Sequence, residues 1–323
     1  MKPVETGLQT EQHATEARYP RTILGTACVP WREDWSLDED LFRVEVRGLI
    51  EQGMKDLYVF GTAGEGYAVS DRQFDEIVRV FHEETRAPDV RPMVGAISLS
   101  LTTIIERIER AAALGFEVFQ IALPSWGTLN DRELHAFFHE VCGRFSQLRF
   151  LHYNLPRAGR ILTAEEYVPL ADEHHNLVAT KYGAGELRTV IGLLTLVPQV
   201  RHFFTEFGFG AGSLVGPCGL LASNSTANLA RMHQYFEAGV AQDVAQLQGM
   251  MRELREVNAA LKQAVGTTAH MDGAYDKFFT RLHLPDFPLR LLPPYEGASD
   301  AAFEQFRAQL AADYPQWLPG GST

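Results

Sequence analysis

The sequence is short of three things: cysteine, positive charge and long apolar runs. Only Cys28, Cys142 and Cys218 occur in 323 residues, far apart and without a CxxC pair. That usage argues against a disulfide framework and suits a reducing, cytoplasmic setting. Lys plus Arg number 29 against 41 Asp plus Glu, a net charge of −12. Nucleic acids and anionic membranes need a positive surface, so neither is an expected partner. The longest apolar stretches, such as residues 190–198, fall far below the ~20 residues of a membrane span. Residues 1–20 are polar and carry Glu5, Glu11 and Glu16, so they read as a flexible arm and not as a signal peptide. A GxSxG elbow, a P-loop and a complete dinucleotide fingerprint are all missing.

What is present is material for a large core. Hydrophobic residues make up 46% of the chain, enough to fold without disulfides or metals. Eight short β-rich runs stand out, at residues 21–29, 56–60, 91–97, 118–123, 149–153, 177–181, 200–205 and 219–222. Amphipathic helical patterns separate them, at 38–52, 71–84, 102–114, 131–145, 164–174, 185–194 and 226–238, with a weak stretch after Thr205. Ser70 with Gln73 and Thr163 with Glu166 have capping-box spacing, and Gly53 and Gly115 sit where helices should stop. Alternating strand and helix implies parallel strands joined by crossovers. Eight such units predict an α/β fold, a (β/α)8 TIM barrel, with an open doubly wound sheet as the alternative. Helical patterns at 241–265, 270–280 and 300–312 follow. The expected organisation is an arm at 1–20, the barrel at 21–240 and a helical region packed on it at 241–323.

In a barrel the chemistry gathers at the C-terminal ends of the strands. The second run ends in Gly61-Thr62-Ala63-Gly64-Glu65-Gly66, the fifth in His152-Tyr153-Asn154 and the sixth in Thr180-Lys181-Tyr182. Strand alternation puts Tyr153 and His152 on opposite faces. If Tyr153 points inward, His152 faces the helices. Lys181 shares a face with Ala179. Pointing inward, its amine would be a nucleophile for carbonyl carbons in an apolar mouth. Pointing outward, it would reach solvent or pair with Glu186. Tyr153, one strand over, could move protons at the same atom. The Gly61–Gly66 stretch is either a nest of backbone N–H groups for an anion or merely a tight turn.

Three of these motifs resemble the dihydrodipicolinate synthase / N-acetylneuraminate lyase superfamily of class I aldolases. Gly61-Thr62-Ala63-Gly64-Glu65 is similar to its Gly-Thr-Thr-Gly-Glu loop, Tyr153-Asn154-Leu155-Pro156 to its Tyr-Asn-x-Pro motif, and Ala179-Thr180-Lys181 to its Gly-Ile-Lys strand end. The 28-residue interval from Tyr153 to Lys181 also matches. The resemblance implies a lyase of aldolase, synthase or dehydratase type, often a homo-oligomer, dimer or tetramer. Its small-molecule partner would be pyruvate or another 2-oxo acid, and no cofactor or metal is implied. Lys181 would form the Schiff base, Tyr153 would shuttle protons, and Thr62 would complete the catalytic set. Gly61, Ala63 and Gly64 would hold the substrate carboxylate with backbone donors. Arg157, or Arg160, would meet a second carboxylate, and Glu206 and Leu221 would face the distal part of the substrate.

The departures are specific. Ala63 replaces a threonine, and Pro124-Ser125-Trp126-Gly127 stands where the synthases carry a tyrosine pair. A relative acting on a different 2-oxo acid, such as a sugar acid, fits better than a lysine-pathway synthase. Two rival readings stay open. One is a phosphosugar-binding barrel without a Schiff base, using the loop 205–212; the other is a non-catalytic ligand-binding barrel. His135 and His139 share a helix face and read as a solvated or interface surface, not as a metal pair. His174-His175 read as cationic residues at a helix C-terminus.

Overall fold

A computed structural model describes residues 18–183, 185–267 and 269–319. Eight parallel strands follow one another in chain order. They are β1 (Leu24–Thr26), β2 (Asp56–Val59), β3 (Arg91–Gly95), β4 (Val118–Ile121), β5 (Arg149–Asn154), β6 (Leu177–Tyr182), β7 (Arg201–Phe204) and β8 (Gly219–Leu220). A parallel bridge between Ile23 and Leu220 joins β8 to β1, and the Leu220 amide donates to the Thr22 carbonyl. The sheet therefore returns on itself, which excludes the open doubly wound alternative.

Helices fill the crossovers: α1 (Glu39–Glu51), α2 (Asp71–Glu84), α3 (Leu101–Leu114), α4 (Asp131–Phe138), α5 (Ala164–Glu173), α6 (Leu187–Leu196) and α7 (Glu206–Gly212). The capping boxes at Ser70/Gln73 and Thr163/Glu166 form as their spacing predicts, and Asn130/Glu133 makes a third. Gly115 ends α3 in the left-handed region at φ 109°, a conformation a side chain would strain. The helix expected over 131–145 stops as an α-helix at Phe138 and widens into a π turn at His139–Gly143. Asn176 reaches the carbonyls of Cys142, Phe145 and Leu148 at the end of this segment.

Two apolar layers follow from strand alternation. One lies between strands and helices. The other fills the barrel and includes Leu24, Tyr58, Met93, Leu151, Ala179, Phe203 and Leu221. Asp56 anchors the N-terminal end, accepting from Tyr19 Oη (2.9 Å), Thr22 Oγ1 (2.7 Å) and Arg91. Tyr19 is buried there as a stopper. The arm expected at 1–20 lies outside the described residues up to residue 17.

The tail forms α8 (Asn224–Ala227), α9 (Leu229–Ala241), α10 (Val244–Val265), α11 (Asp272–His283) and α12 (Asp300–Asp313). The α11 helix packs against α8 and closes over the barrel mouth, with Phe278 and Phe279 buried. Beneath it Glu45 of α1 is buried, and its Oε1 accepts from Thr280 Oγ1 at 3.2 Å. Burial pushes the Glu45 carboxyl up to about 8, against the opposing Cys28 amide and Thr280 hydroxyl.

A carboxyl raised on folding stabilises fully below its unfolded pKa of about 4.3, and that contribution is lost as pH climbs through the folded value. Glu45→Gln should therefore gain on wild type between pH 5 and pH 8. The difference in urea-unfolding free energy should reach on the order of a few kcal/mol at pH 9. A difference that does not change with pH would refute the assignment.

Candidate active site

The site begins with a register shift. Phe150 of β5 pairs with Leu177 of β6, but Leu151 pairs with Ala179, so Val178 is an extra residue. This bulge advances β6 by one position and sets Tyr153 opposite Lys181 instead of Thr180. Lys181 Nζ donates to Tyr153 Oη at 2.9 Å and lies 4.2 Å from the ring centroid. Tyr153 Oη lies 3.3 Å from Thr62 Oγ1. An amine, a phenol and a hydroxyl thus form one chain across the mouth. The alternative pairing of Lys181 with Glu186 does not form; Glu186 accepts from Thr189.

The side chains that alternate with these face outward. His152 Nδ1 contacts Tyr167 Oη at 2.6 Å, and burial lowers the imidazole to about 3. Thr180 Oγ1 contacts His202 Nδ1 at 2.7 Å. Asn154 pins the following loop, donating to the Leu162 carbonyl and accepting from its amide. That loop carries Pro156 and Arg157.

These groups open on a cavity of about 440 Å3. Thr62, Ala63, Tyr153, Arg157, Lys181, Glu206 and Leu221 all line it. Gly61 and Gly64 stand outside its wall. A Cβ on Gly61 would meet the Tyr58 ring at 2.5 Å, and one on Gly64 would meet the Phe60 amide at 2.7 Å. These two positions need glycine for the turn to pack this closely. Arg157 donates to both Asp272 oxygens at 2.9 and 3.2 Å, so a protein carboxylate already occupies it. Arg160 turns to Asp131, Glu166 and the Leu129 carbonyl, away from the cavity.

Sequence reading missed the contribution of the tail. Asn258 and Lys262 of α10 and Asp272, Tyr275, Asp276 and Phe279 of α11 line the same cavity. Positions 272, 275, 276 and 279 recur at helical spacing and share one face. Acids mixed with aromatics on one face were the readable signal. Burial raises the Glu206 carboxyl, opposed by a hydrogen bond from Asn258 and by Lys181 and Lys262. Burial pushes Asp276 up to about 7, opposed by Ser223 and Lys181.

The anchor of α11 is ionic. Glu65, at the end of the glycine turn, is fully buried with Lys277. Its Oε1 accepts from Lys277 Nζ at 2.7 Å and Trp31 Nε1 at 2.8 Å, and its Oε2 from the Leu292 amide at 2.6 Å. Glu65 has φ 57°, uncommon for a side-chain-bearing residue and held here by those bonds.

The histidines on the outer shell do not join the site. His135 and His139 face Glu173 at 3.8 and 4.0 Å. Among the described residues no group of three or more His, Cys, Asp or Glu is arranged to hold a metal. His174 is buried against Phe138 and burial lowers its pKa, so the cationic role expected there is not supported.

Fold and site together define a (β/α)8 barrel with an amine and a phenol in contact at its C-terminal mouth. The chain belongs to the dihydrodipicolinate synthetase family, whose family model matches residues 19–274. A 4-hydroxy-tetrahydrodipicolinate synthase from Moorella thermoacetica is 27% identical over 89% of this chain and 96% of that enzyme. One from Methanothrix thermoacetophila is 27% identical over 54% of this chain, which spans only 58% of that relative's length. Among solved structures, YagE, a prophage protein of the dihydrodipicolinic acid synthase family from E. coli K12 in complex with pyruvate, superposes with a TM-score of 0.80 at 18% identity. That match covers 91% of this chain and 98% of the other. N-acetylneuraminate lyase from Fusobacterium nucleatum gives 0.79 at 18% identity, covering 92% and 98%. At such identities the likeness establishes the fold.

Lys277→Met would leave Glu65 buried without its counter-charge. The expected loss is about 3–5 kcal/mol of stability by urea unfolding at pH 7. A loss below about 1 kcal/mol, the range of a surface pair, would show that the ion pair does not anchor α11.

Proposed function

We propose that this protein is a lyase of the aldolase type that holds pyruvate or another 2-oxo acid as a Schiff base on Lys181. The contact of Lys181 Nζ with Tyr153 Oη at the mouth of the cavity carries this reading. The amine attacks the ketone carbon, and loss of water gives the imine. The Tyr153 phenol, within hydrogen-bond reach of the nitrogen, takes and returns the protons of that step. The Thr62 hydroxyl orients the phenol. Backbone donors of the turn at Thr62 and Ala63 hold the substrate carboxylate. The protonated imine is an electron sink, so a bond to the neighbouring carbon can form or break. Aldol cleavage, condensation and dehydration all follow from that one intermediate.

Relatives named as synthases and a structural neighbour named as a lyase support the class. A phosphosugar would meet the Glu206 carboxylate where α7 begins, which counts against the phosphate alternative.

We also infer a cytoplasmic homo-oligomer, a dimer or tetramer, with the barrel at 21–240 and the helical region at 241–323 as its two parts. Three buried, unpaired cysteines support the reducing compartment. Exposed apolar side chains support the assembly, among them Trp126 (89% exposed), Leu187, Ile191 and Phe207. Trp126 sits in the stretch that replaces the synthases' tyrosine pair.

Borohydride with pyruvate should add irreversible mass to Lys181, and Lys181→Ala should take up none; absence of label with any 2-oxo acid would sink the proposal. Tyr153→Phe should lower kcat about 100- to 10,000-fold while still permitting the label. Sedimentation should give a species above the monomer mass, and a monomer at micromolar concentration would refute the assembly.

A further inference from the structure

The Schiff-base chemistry uses Lys181, Tyr153 and Thr62 and leaves Asp276 without a task. Asp276 lines the cavity on α11 and is 2% exposed. Ser223 bonds its carboxyl, yet its Oδ1 has no hydrogen-bond partner among the described residues. A second buried acceptor, Asn224 Oδ1, lines the same wall and is likewise without a partner. Buried acceptors left open cost stability, so they call for donors brought by a ligand. Hydroxyl groups are such donors.

We propose that Asp276 is a catalytic acid–base residue working on the C4 oxygen of a 4-hydroxy-2-oxo acid bound as its Lys181 imine, with Asn224 accepting from a hydroxyl further along the chain. This rests on the Schiff-base reading and extends it to the second reactant, a hydroxyaldehyde. In addition, the C2–C3 enamine attacks the aldehyde carbon and a C3–C4 bond forms. The pair from the enamine nitrogen restores the imine, and the Asp276 proton passes to the new C4 oxygen. In cleavage the carboxylate takes that proton back, the C3–C4 pair returns to make the enamine, and the aldehyde leaves. No oxidant or further reactant is needed.

Titratable groups surround the carboxyl. Asp272 lies one turn back on α11, Glu206 on α7, Lys181 on β6, Tyr58 on β2 and Cys28 after β1. Burial leaves Asp276 titrating near neutrality, where it serves as an acid and as a base.

The test compares wild type, Asp276→Asn and Asp276→Glu, with pyruvate and either glycolaldehyde or glyceraldehyde, following the 4-hydroxy-2-oxo acid by NMR from pH 5 to pH 9. Wild-type addition should slow above pH about 7. Asp276→Asn should lose at least about 100-fold and that descending limb with it, while Asp276→Glu regains both in part. Borohydride with pyruvate should still label Lys181 in Asp276→Asn, placing the loss after the imine. Its Tm at pH 8 should be no lower than that of wild type, because the amide removes a buried ionisable group. If the Asn variant turns over within about threefold of wild type, keeps the limb, or if wild type forms no adduct with either aldehyde, the proposal is wrong. A wild type that takes no label on Lys181 overturns the Schiff-base reading instead.

Discussion

The Glu65 carboxylate sits where three parts of the chain meet. Trp31 reaches it from the loop after β1, Lys277 from α11, and the Leu292 amide from the segment beyond. Glu65 itself ends the turn that carries Thr62 and Ala63. Two charges buried without water cost several kcal/mol each unless their remaining bonding capacity is filled. Here Glu65 receives three donors, and Lys277 adds a bond to the Arg290 carbonyl. The ion pair therefore does more than hold the tail down: it fixes the rotation of α11. With Lys277 turned toward Glu65, its neighbour Asp276 and the residues one turn to either side, Asp272 and Phe279, line the cavity.

That placement sets the electrostatics of the mouth. The chain carries a net charge of −12, so its overall field does not draw anions in. An anionic substrate depends on local donors. Lys181 and Lys262 supply positive charge at the wall, while Arg157 is matched by Asp272. Close to them stand the carboxyls of Glu206 and of the buried Asp276. The cavity thus mixes cationic side chains with carboxyls that accept hydrogen bonds.

Much of this was legible in the sequence, and the parts that were not have physical reasons. The strands and their helices followed from period and caps, because each unit carries its own start and stop signals. Tyr153 inward and His152 outward followed from alternation. Alternation leaves Lys181 inward or outward; its facing of Tyr153 depends on the bulge at Val178, which strand patterns do not reveal. Gly61 and Gly64 must be small because Tyr58 and Phe60 crowd them, a contact that local pattern does not display. The partner of Arg157 is hidden in the sequence because Asp272 lies 115 residues away. The role of α11 stayed hidden for the same reason: docking of the tail is a tertiary event, and local periodicity reports only that a helix forms.

The adjacency of Lys277 and Asp276 joins stability and chemistry in one turn of helix. The lysine is paired with Glu65; the aspartate has an oxygen without a hydrogen-bond partner among the described residues. A helix held by a satisfied ion pair can carry an unsatisfied carboxyl on its neighbouring face, because the cost of the second is borne by packing that the first keeps in place. The barrel strands fix the Lys181–Tyr153 contact through backbone register, which is hard to alter without losing pairing. The α11 face at 272, 275, 276 and 279 contributes side chains alone. Substitutions there change the lining of the cavity while Lys181, Tyr153 and Thr62 keep their geometry, because the tail supplies side chains and the strands supply register.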